Sequence, residues 1–483
     1  MTERDEPAGD DVEAVLAAVR GRVTPDADER ERLRAVADRV MADAREAIVD
    51  LPVEADVVQV GSTARGTWVA GDRDIDVFVR FPPDVAREDL ERYGLQVGRA
   101  AVPDGREEFA EHPYIKGEVE GFDVDLVPCY RLERATDIRS AVDRTPFHNA
   151  YLAERIGPDL ADDVRVAKAF LKGVGVYGSD LRTKGFSGYL TELLVLEYGG
   201  FRPLLDAARD WLPPVELDPE GHGTRVHDDP LVVVDPTDPA RNVAAVCSAA
   251  NVARLTHHAR QFLAAPDESV FDQSPRNPLT PEAMAAELDR RGTTALAVVF
   301  DAPALVDDQL YPQLEKSLGG IVGELDRRGF DALRGTVLAA PEAERTRSLD
   351  SAAGDDGDDG DDGDVPIAAL FVECAVAERP RVERHEGPPV HVDAHAAGFY
   401  ETYAADESVY GPFVDGDRYV VEREREFTTP EVLLASDALF DVALGVRVES
   451  ALRGGYDVLV GEETAVLADR FGADLAAYFD PRP

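Results

Sequence analysis

The 483-residue sequence contains few cysteines and no long apolar run. Its three cysteines, Cys129, Cys247 and Cys374, are odd in number, far apart and set in apolar sequence, so we interpret them as buried thiols. No Cys-x-x-Cys or Cys/His zinc pattern occurs. No stretch approaches the roughly 20 apolar residues that span a bilayer. The acidic start MTERDEPAGDD lacks the features of a signal peptide, and these absences together predict a cytoplasmic protein.

Lysine is also scarce, and arginine supplies most of the positive charge. The chain has 51 basic and 96 acidic residues, which gives a formal net charge of −45. Such acidity ordinarily argues against a polyanionic partner, because phosphate contacts need Lys and Arg. In about 1 M salt, however, the Debye length is roughly 3 Å and self-repulsion is largely screened. With 44% hydrophobic residues for its cores, the chain is typical of a cytosolic protein from an extreme halophile.

The length and the hydrophobic patterns predict an α+β multidomain protein in three parts. Residues 1–139 alternate helices and strands and form the expected α/β head. Residues 140–265 have helical periodicity and form the expected helical middle domain, with one helix predicted over Arg241–Phe262. Residues 266–483 mix strands and helices in the order strand, helix, strand, strand, which indicates a ferredoxin-like α+β tail.

The predicted strands of the head cover Asp56–Val60, Ile75–Phe81, Tyr114–Glu120 and Phe122–Val127. The predicted strands of the tail cover Leu296–Phe300, Leu333–Ala339 and Ile367–Val376, followed by a hairpin that turns at Asp415-Gly416 and a helix from Pro430.

An acidic, glycine-rich run, Gly354–Asp364, interrupts the tail. It cannot bury apolar area, so we predict a disordered loop over residues 351–364. Calcium binding is the alternative interpretation of these carboxylates. The run lacks the closing Glu spacing of an EF-hand, which argues against that alternative.

Two aspartates in the head carry the clearest chemical signal. Asp74 and Asp76 flank Ile75 on a predicted strand, and alternation places both carboxylates on one face. Adjacent like charges cost free energy unless a cation lies between them. Phosphoryl transfer by two metal ions supplies such cations and requires a third carboxylate, which Asp125 offers on another strand. Asp123 shares the face of Asp125 by alternation, and we interpret it as structural.

The alternative interpretation of an Asp-x-Asp pair is a solvated strand edge, which is common in an acidic protein. Here the pair follows a strand that ends in Gly61-Ser62, where a Gly-Ser turn lets backbone N–H groups approach a phosphate. Arg65 follows within reach. The combination is more specific than any of its parts.

The segment VVQVGSTARGTWVAGDRDIDVFVRF resembles the nucleotidyltransferase superfamily that includes DNA polymerase β and poly(A) polymerases. More closely, the chain resembles the archaeal-type (class I) CCA-adding enzymes. This resemblance runs from about Asp56 to Phe413 through the blocks GSTARGTW, DIDVF, HPYIKGEVEGFDVDLVPCY, SAVDRTPFH, KAFLKGVGVYG, GFSGYLTELL, RNVAA and VYGPF. It implies a polymerase β-like α/β head and a magnesium-dependent enzyme that adds CCA to tRNA from CTP and ATP.

The resemblance also implies roles for individual residues. It assigns Mg²⁺ binding and catalysis to Asp74, Asp76 and Asp125. Some relatives carry Glu at the position of Asp74, and either carboxylate can bind Mg²⁺. The resemblance assigns the triphosphate to Ser62, Arg65, Thr145, His148, Lys168 and Tyr177. His148 as a turn residue, Lys168 as a solvated helix residue and Tyr177 as a core residue are the structural alternatives.

Arg241 is implied as the residue that contacts the incoming base. Cytosine N3 and adenine N1 are acceptors on the Watson–Crick edge, whereas uracil and guanine present an N–H there. An arginine only donates, so it pairs with C and A and opposes U and G. The tail is expected to recognise the shape and backbone of tRNA.

Three other functions remain open at the level of sequence. A poly(A) polymerase or another RNA-terminal nucleotidyltransferase would share the carboxylates. A tRNA-binding protein that has lost catalysis is disfavoured by the intact carboxylates, and a small-molecule nucleotidyltransferase by the long tail. Dimers are common among relatives, so a homodimer is an expectation from the resemblance alone.

Overall fold

The computed structural model describes residues 9–109, 111–273, 276–351 and 365–483. The predicted disordered run, Gly354–Asp364, lies outside the described residues and stays a prediction. The chain divides into two compact units, residues 1–274 and residues 275–482. Among the described residues, no helix combines the length and apolarity needed to cross a membrane.

The helices of the first unit are α1 (Gly9–Val23), α2 (Ala27–Val49), α3 (Gly61–Arg65), α4 (Arg87–Ala101), α5 (Thr145–Ala153), α6 (Pro158–Gly173), α7 (Gly188–Tyr198), α8 (Phe201–Ala208) and α9 (Ala249–Ala264). Its strands are β1 (Asp56–Val60), β2 (Asp74–Phe81), β3 (Arg106–Phe109), β4 (Pro113–Val119), β5 (Phe122–Tyr130), β6 (Val215–Leu217), β7 (Leu231–Asp235) and β8 (Asp238–Asn242).

The head is a five-stranded sheet in the order β1-β2-β5-β4-β3. Strands β2 and β5 are parallel, and the other neighbours are antiparallel. Ile75 and Val77 are fully buried and share one hydrophobic cluster with residues of α2 and α4. Because side chains alternate along a strand, the residues between them are directed to the opposite face of the sheet. The four strands predicted in the head are confirmed; β3, with the charged sequence REEF, has no apolar alternation and was not predicted.

The middle of the first unit packs α6, α7, α8 and α9 around one apolar core. Helix α1 contributes Leu16 and Val19 to the same core, so its packing crosses the domain boundary predicted at residue 139. The segment predicted as a helical middle domain also contains strands. Strands β6, β7 and β8 form a three-stranded sheet here, since the β-branched run of Leu231–Asp235 favours a strand.

Arg241 lies on strand β8, not at the start of a helix as predicted. Helix α9 begins at Ala249, where the side chain of Ser248 accepts a hydrogen bond from the backbone N–H of Asn251 at 3.2 Å. A serine in this position satisfies one of the free N–H groups at a helix start. The helix therefore begins eight residues after Arg241.

The helices of the second unit are α10 (Pro281–Arg291), α11 (Asp307–Arg327), α12 (Glu342–Ser351), α13 (Asp393–Tyr403), α14 (Pro430–Leu434), α15 (Val446–Gly454) and α16 (Ala468–Phe479). Its strands are β9 (Thr294–Asp301), β10 (Ala332–Ala339), β11 (Ile367–Cys374), β12 (Val382–Pro389), β13 (Tyr410–Asp415), β14 (Arg418–Glu424) and β15 (Asp457–Val460).

The main sheet of the second unit has the antiparallel order β10-β11-β9-β15. Together with α11 after β9 and α15 before β15, this is the β-α-β-β-α-β arrangement of a ferredoxin-like module, as predicted. A second sheet, β12-β14-β13, contains the predicted hairpin, with Asp415 opposite Arg418 across the turn.

Candidate active site

The predicted carboxylates lie on two neighbouring parallel strands of the head. In the register of β2 and β5, Asp74 is opposite Asp123 and Asp76 is opposite Asp125. Ile75, between the two aspartates of β2, is fully buried on the other face of the sheet. The sheet therefore brings Asp74, Asp76 and Asp125 together on one face, as their spacing predicts.

The electrostatics of this face disfavour ionisation of Asp74 and Asp76. Burial raises the pKa of Asp76 to about 6, with further contributions from the negative charges of Asp125 and Asp74. Burial, followed by the charges of Asp72 and Asp123, also raises the pKa of Asp74. A cation bound between the carboxylates would relieve this repulsion.

Lys116 supplies positive charge beside Asp125. It is opposite Asp125 in the register of β4 and β5, and its Nζ lies 3.1 Å from Oδ1 of Asp125. Nζ also donates a hydrogen bond to Oδ2 at 3.3 Å. Burial lowers the pKa of Lys116, but the hydrogen bond and charge of Asp125 outweigh burial and raise it overall.

The donor set fits a divalent cation. Oδ1 of Asp125 is buried and lies 3.1 Å from Nζ of Lys116, but among the described residues it accepts no hydrogen bond, since Lys116 donates to Oδ2. Carboxylate oxygens are the ligands that hard divalent cations prefer. No three acidic, histidine or cysteine side chains in the described part of the chain converge into a closed metal site. Ligation by Asp74, Asp76 and Asp125 together therefore requires their side chains to rotate toward a shared point.

Gly61 forms the other wall of this face. Its φ is +78°, and a Cβ placed on it would lie 2.0 Å from Oδ2 of Asp76. Only glycine combines this backbone conformation with such a close approach. Ser62, predicted to hold phosphate, is the next residue of α3 and therefore lies beside the carboxylate face.

Arg65 and Lys168 meet at a buried glutamate that was not predicted. Nε of Arg65 lies 2.8 Å from Oε2 of Glu192, and Nζ of Lys168 lies 3.0 Å from Oε1. The hydroxyl of Thr67 donates to Oε1 at 2.6 Å, and Arg65 also donates to Oδ1 of Asn149 at 2.7 Å. Glu192 and Lys168 are almost fully buried, so Lys168 is not the solvated helix residue of the alternative interpretation.

The charges in this cluster do not cancel. Burial raises the pKa of Glu192, but Lys168 and Arg65 outweigh it and hold that pKa below its usual value. Burial lowers the pKa of Lys168, which the carboxylate of Glu192 offsets only in part. One carboxylate shared by two cations leaves an excess of positive charge, which favours an anion nearby.

Tyr177 and a second lysine lie next to this cluster. Burial, then the charges of Asp72 and Glu192, raises the pKa of Tyr177, so its hydroxyl stays protonated. Nζ of Lys172 is 5.3 Å from the centre of the Tyr177 ring and 3.0 Å from Oδ1 of Asp72. Lys172 is one helical turn after Lys168, a spacing that could have predicted it.

His148 and Arg241 meet at a second buried acid, Asp235. Nε2 of His148 and a terminal nitrogen of Arg241 each lie 2.8 Å from Oδ2 of Asp235. The backbone N–H and hydroxyl of Thr237 donate to Oδ1. The ring of His148 stacks on Tyr189, with centroids 3.8 Å apart. The structure therefore brings together the implied base-contacting arginine and the implied triphosphate histidine around an acid that the sequence analysis missed.

The protonation states in this second cluster follow from its contacts. Burial raises the pKa of Asp235, but the hydrogen bonds from His148 and Thr237 outweigh it and hold that pKa well below its usual value. Burial lowers the pKa of His148, although Asp235 opposes this effect. An ionised carboxylate only accepts, so Nε2 of His148 donates its proton to Asp235.

Two short helices connect the carboxylate face to these clusters. Helix α3 begins at Gly61, against Asp76, and ends at Arg65, which contacts Glu192. Helix α5 begins at Thr145 and carries both Asn149, which contacts Arg65, and His148, which contacts Asp235. Thr145 is half-buried at this helix start. All the predicted site residues thus belong to the first unit.

A five-stranded mixed sheet with paired carboxylates on one face is the arrangement that the resemblance implies for a nucleotidyltransferase head, and comparison with protein families agrees. The description "Nucleotidyltransferase domain" matches residues 41–148. "tRNA nucleotidyltransferase, second domain" matches residues 162–272. "CCA-adding enzyme, C-terminal domain" matches residues 291–345 and 364–461.

Similarity to individual proteins extends along the whole chain. The CCA-adding enzyme of Haloarcula marismortui is 60% identical over 98% of this chain and 100% of its own length. That of Halorubrum lacusprofundi is 61% identical over 98% of this chain and 100% of its own length. That of Methanoregula boonei is 42% identical over 96% of this chain and 94% of its own length. The chain therefore belongs to the family of CCA-adding enzymes.

Solved structures give a weaker likeness. The structure of E. coli MS115-1 CdnC with ATP is 18% identical and covers 53% of this chain and 94% of that chain, with a TM-score of 0.42. A cytoplasmic RNA terminal U-transferase is 16% identical and covers 55% of this chain and 99% of that chain, also with a TM-score of 0.42. Likeness at this level carries no argument about function.

Proposed function

We propose that this chain adds C, C and A stepwise to the 3′ end of tRNA, from CTP and ATP and without a nucleic-acid template. Membership in the family of CCA-adding enzymes supports this reaction. The observation that carries the assignment of the site is the shared face of Asp74, Asp76 and Asp125, joined through α3 and α5 to the buried clusters at Glu192 and Asp235.

Asp74, Asp76 and Asp125 would hold two divalent cations, which we take to be Mg²⁺. When bound, these cations activate the attacking 3′-hydroxyl and stabilise the leaving pyrophosphate. Asp125 helps to activate the hydroxyl, either as a general base or as a ligand. Lys116 neutralises part of the charge of Asp125 before substrate binds.

The triphosphate would bind beside the Glu192 cluster. Arg65 and Lys168 provide two cations for one carboxylate, and Lys172 adds a partly exposed ammonium group next to Tyr177. Ser62 at the start of α3 and Thr145 at the start of α5 provide hydroxyl donors near the same place. The burial of Arg65 and Lys168 keeps them in position, so less conformational entropy is lost when an anion binds.

Selection of C and A would depend on the geometry of Arg241. One terminal nitrogen of Arg241 is held by Asp235, which orients the guanidinium and leaves other N–H groups for a base. His148 contacts the same carboxylate and stacks on Tyr189, so the orientation of Arg241 is supported from two sides. Cytosine N3 and adenine N1 accept from such a donor, whereas uracil N3 and guanine N1 carry a proton and oppose it.

The remaining interpretations stay proposals. The second unit would recognise tRNA by shape and backbone, a homodimer remains a prediction, and so does the cytoplasmic location. The net charge of −45 fits the halophilic archaeal relatives of the chain. The domain boundaries at residues 139 and 265 stay predictions.

The test is nucleotide addition in molar KCl with Mg²⁺ and tRNA that lacks its 3′ CCA, with each nucleoside triphosphate supplied singly and together. We expect CTP alone to extend the tRNA by two nucleotides and ATP to add one more only after both cytidines. Asp125→Asn should lose activity, and the matched variant Asp123→Asn should retain it. Long A tails on unrelated RNA would instead support a poly(A) polymerase.

A further inference from the structure

A cavity of about 560 Å³ lies in the first unit. It is bounded by the turn between α1 and α2, by the rear of α3 and by the start of α6. Four arginines line it: Arg30, Arg34, Arg65 and Arg165. Asp74, Asp76 and Asp125 do not line it, so it is a different site from the candidate metal site.

Two of these arginines have no ion-pair partner among the described residues. Arg65 is paired with Glu192 and Arg165 with Asp162. Arg30 and Arg34 lie one helical turn apart on α2, both exposed at the cavity, and neither makes an ion pair in the described part of the chain. In a chain with 96 acidic residues, two adjacent unpaired guanidinium groups mark a local excess of positive charge.

Buried polar groups in the wall also lack partners. Arg165 is 6% exposed; it donates to the carbonyl oxygen of Gly66 and to Asp162, but its Nε has no hydrogen-bond partner among the described residues. The hydroxyl oxygen of Thr24, which also lines the cavity, is buried and unpaired in the same way. A buried donor without a partner costs free energy unless a bound group satisfies it.

The start of α6 adds a third favourable feature. Gly157 and Pro158 line the cavity, and no side chain caps this 16-residue helix. The free N–H groups at a helix start carry partial positive charge and favour an anion. The remaining wall is apolar and includes Leu33 and Trp68, which suits a ligand with both a charged and a flat or aliphatic part.

We propose that this cavity is a second anion site, which binds a phosphate-bearing group of nucleotide size. The phosphate would contact Arg30, Arg34 and the free Nε–H of Arg165, and the apolar part of the ligand would lie against Trp68. The phosphate has two available sources: a free nucleotide, or the sugar–phosphate backbone of a tRNA substrate. The second source rests on the proposed function, whereas the first does not.

Trp68 provides a direct readout. The chain has two tryptophans, and the other is Trp211, so Trp211→Phe leaves Trp68 as the single tryptophan, which is excited selectively over the 14 tyrosines at the red edge of the absorption band. In this background, inorganic pyrophosphate, CMP and tRNA lacking its CCA end are titrated separately. The titrations contain EDTA, which removes cations from the carboxylate face, and the lowest KCl concentration at which circular dichroism shows the fold intact.

The test variant is Arg30→Ala with Arg34→Ala. The control is Arg32→Ala with Arg45→Ala, which removes the same charge from exposed positions of α2 that do not line the cavity. We expect the test variant to weaken binding by about tenfold or more, because two charge-assisted contacts are lost, and the control to bind within about twofold of the parent. Arg34→Glu is a second variant, in which reversal of charge should abolish the fluorescence response.

The outcomes separate the two sources and the two proposals. A saturable response to pyrophosphate or CMP that the test variant loses assigns the site to a free phosphate ligand. A response to tRNA alone that the test variant loses assigns it to the RNA backbone. Absence of any response, or equal loss in both double variants, overturns the anion site. Failure of the parent protein to extend tRNA would overturn the proposed function and leave the pyrophosphate titration unaffected.

Discussion

Gly61 and Asp76 are in direct contact: a Cβ on residue 61 would lie 2.0 Å from Oδ2 of the aspartate. Gly61→Ala should therefore displace the Asp76 carboxylate and abolish nucleotide addition. The matched control is Gly71→Ala, because Gly71 also has a positive φ, +89°, but has no atom within 4 Å of its Cβ position. Both variants should lose about 1–2 kcal/mol of stability from the left-handed backbone. Primer extension distinguishes the two variants. Equal activity in Gly61→Ala and Gly71→Ala would show that the contact between Gly61 and Asp76 is not needed for nucleotide addition.

The raised pKa of Asp76 predicts how pH affects the metal-free protein. An acid whose folded-state pKa is raised to about 6 binds more protons when folded, so stability falls as pH rises from about 4 to about 6. Asp76→Asn should remove this loss of stability at higher pH. In EDTA at pH 7 it should raise the free energy of unfolding by about 1–2 kcal/mol, which is less than the full pKa shift corresponds to, because the side chain is partly solvated. Thermal unfolding across this pH range, measured for the parent and for Asp76→Asn, gives the dependence of stability on pH in each protein.

A divalent cation should reverse that pattern. Protons compete with the cation for Asp76, so stabilisation by added Mg²⁺ or Mn²⁺ should grow as pH rises through about 6. Asp123→Asn, on the same face, should behave like the parent, whereas Asp76→Asn should lose the response. An identical cation effect in Asp76→Asn would remove Asp76 from the proposed ligand set.

Glu192 is the shared ion-pair partner of two buried side chains, Arg65 and Lys168, so we expect the stability of the protein to depend on its negative charge more than on its shape. Glu192→Gln should destabilise the protein by about 3–5 kcal/mol, since Arg65 and Lys168 are left without a carboxylate. Glu197→Gln, at an exposed position of the same helix, is the control and should be close to neutral. Adding Lys168→Met to Glu192→Gln should recover part of the loss, which a double-mutant cycle would quantify. Simple additivity would contradict the shared network.

Arg241→Ala should weaken selection against UTP and slow the use of both CTP and ATP. We expect a change of about tenfold or more in selectivity, because one hydrogen-bond donor to the base is lost. Arg225→Ala removes an exposed arginine nearby in the sequence and is the control. Asp235→Asn should reproduce part of the effect, because Asp235 orients Arg241. Competition between CTP and UTP on one tRNA primer measures this, and unchanged selectivity would move base recognition elsewhere.

Salt should control folding more than tRNA binding. With a net charge of −45, the protein should unfold or loosen at low ionic strength, where repulsion among carboxylates is unscreened, and fold in molar KCl. Because phosphate contacts weaken steeply with salt, we expect few of them and a shallow salt slope for tRNA binding. Circular dichroism and a binding titration across KCl measure both properties. Full folding and peak activity at tens of millimolar salt would contradict the halophile interpretation.

The sequence alone determined the carboxylate face, because that face depends on local geometry. Alternation along β2 and β5 directs Asp74, Asp76 and Asp125 to one side whatever packs around the sheet, and apolar neighbours such as Ile75 and Val77 identify the buried side. The succession strand, helix, strand, strand in the second unit also follows from local patterns, whereas the spatial order of its strands does not.

Only the tertiary structure decided which charges meet. Glu192 is 127 residues from Arg65, and Asp235 is 87 residues from His148, so no local period relates them. The same holds for Arg241: residues 238–242 contain no β-branched side chain and form a strand through pairing with β7, which local patterns do not predict. The arginine cavity likewise joins segments separated by about a hundred residues. A buried charge costs free energy unless it is paired, and the packing of distant segments determines which oppositely charged side chain lies close enough to pair with it.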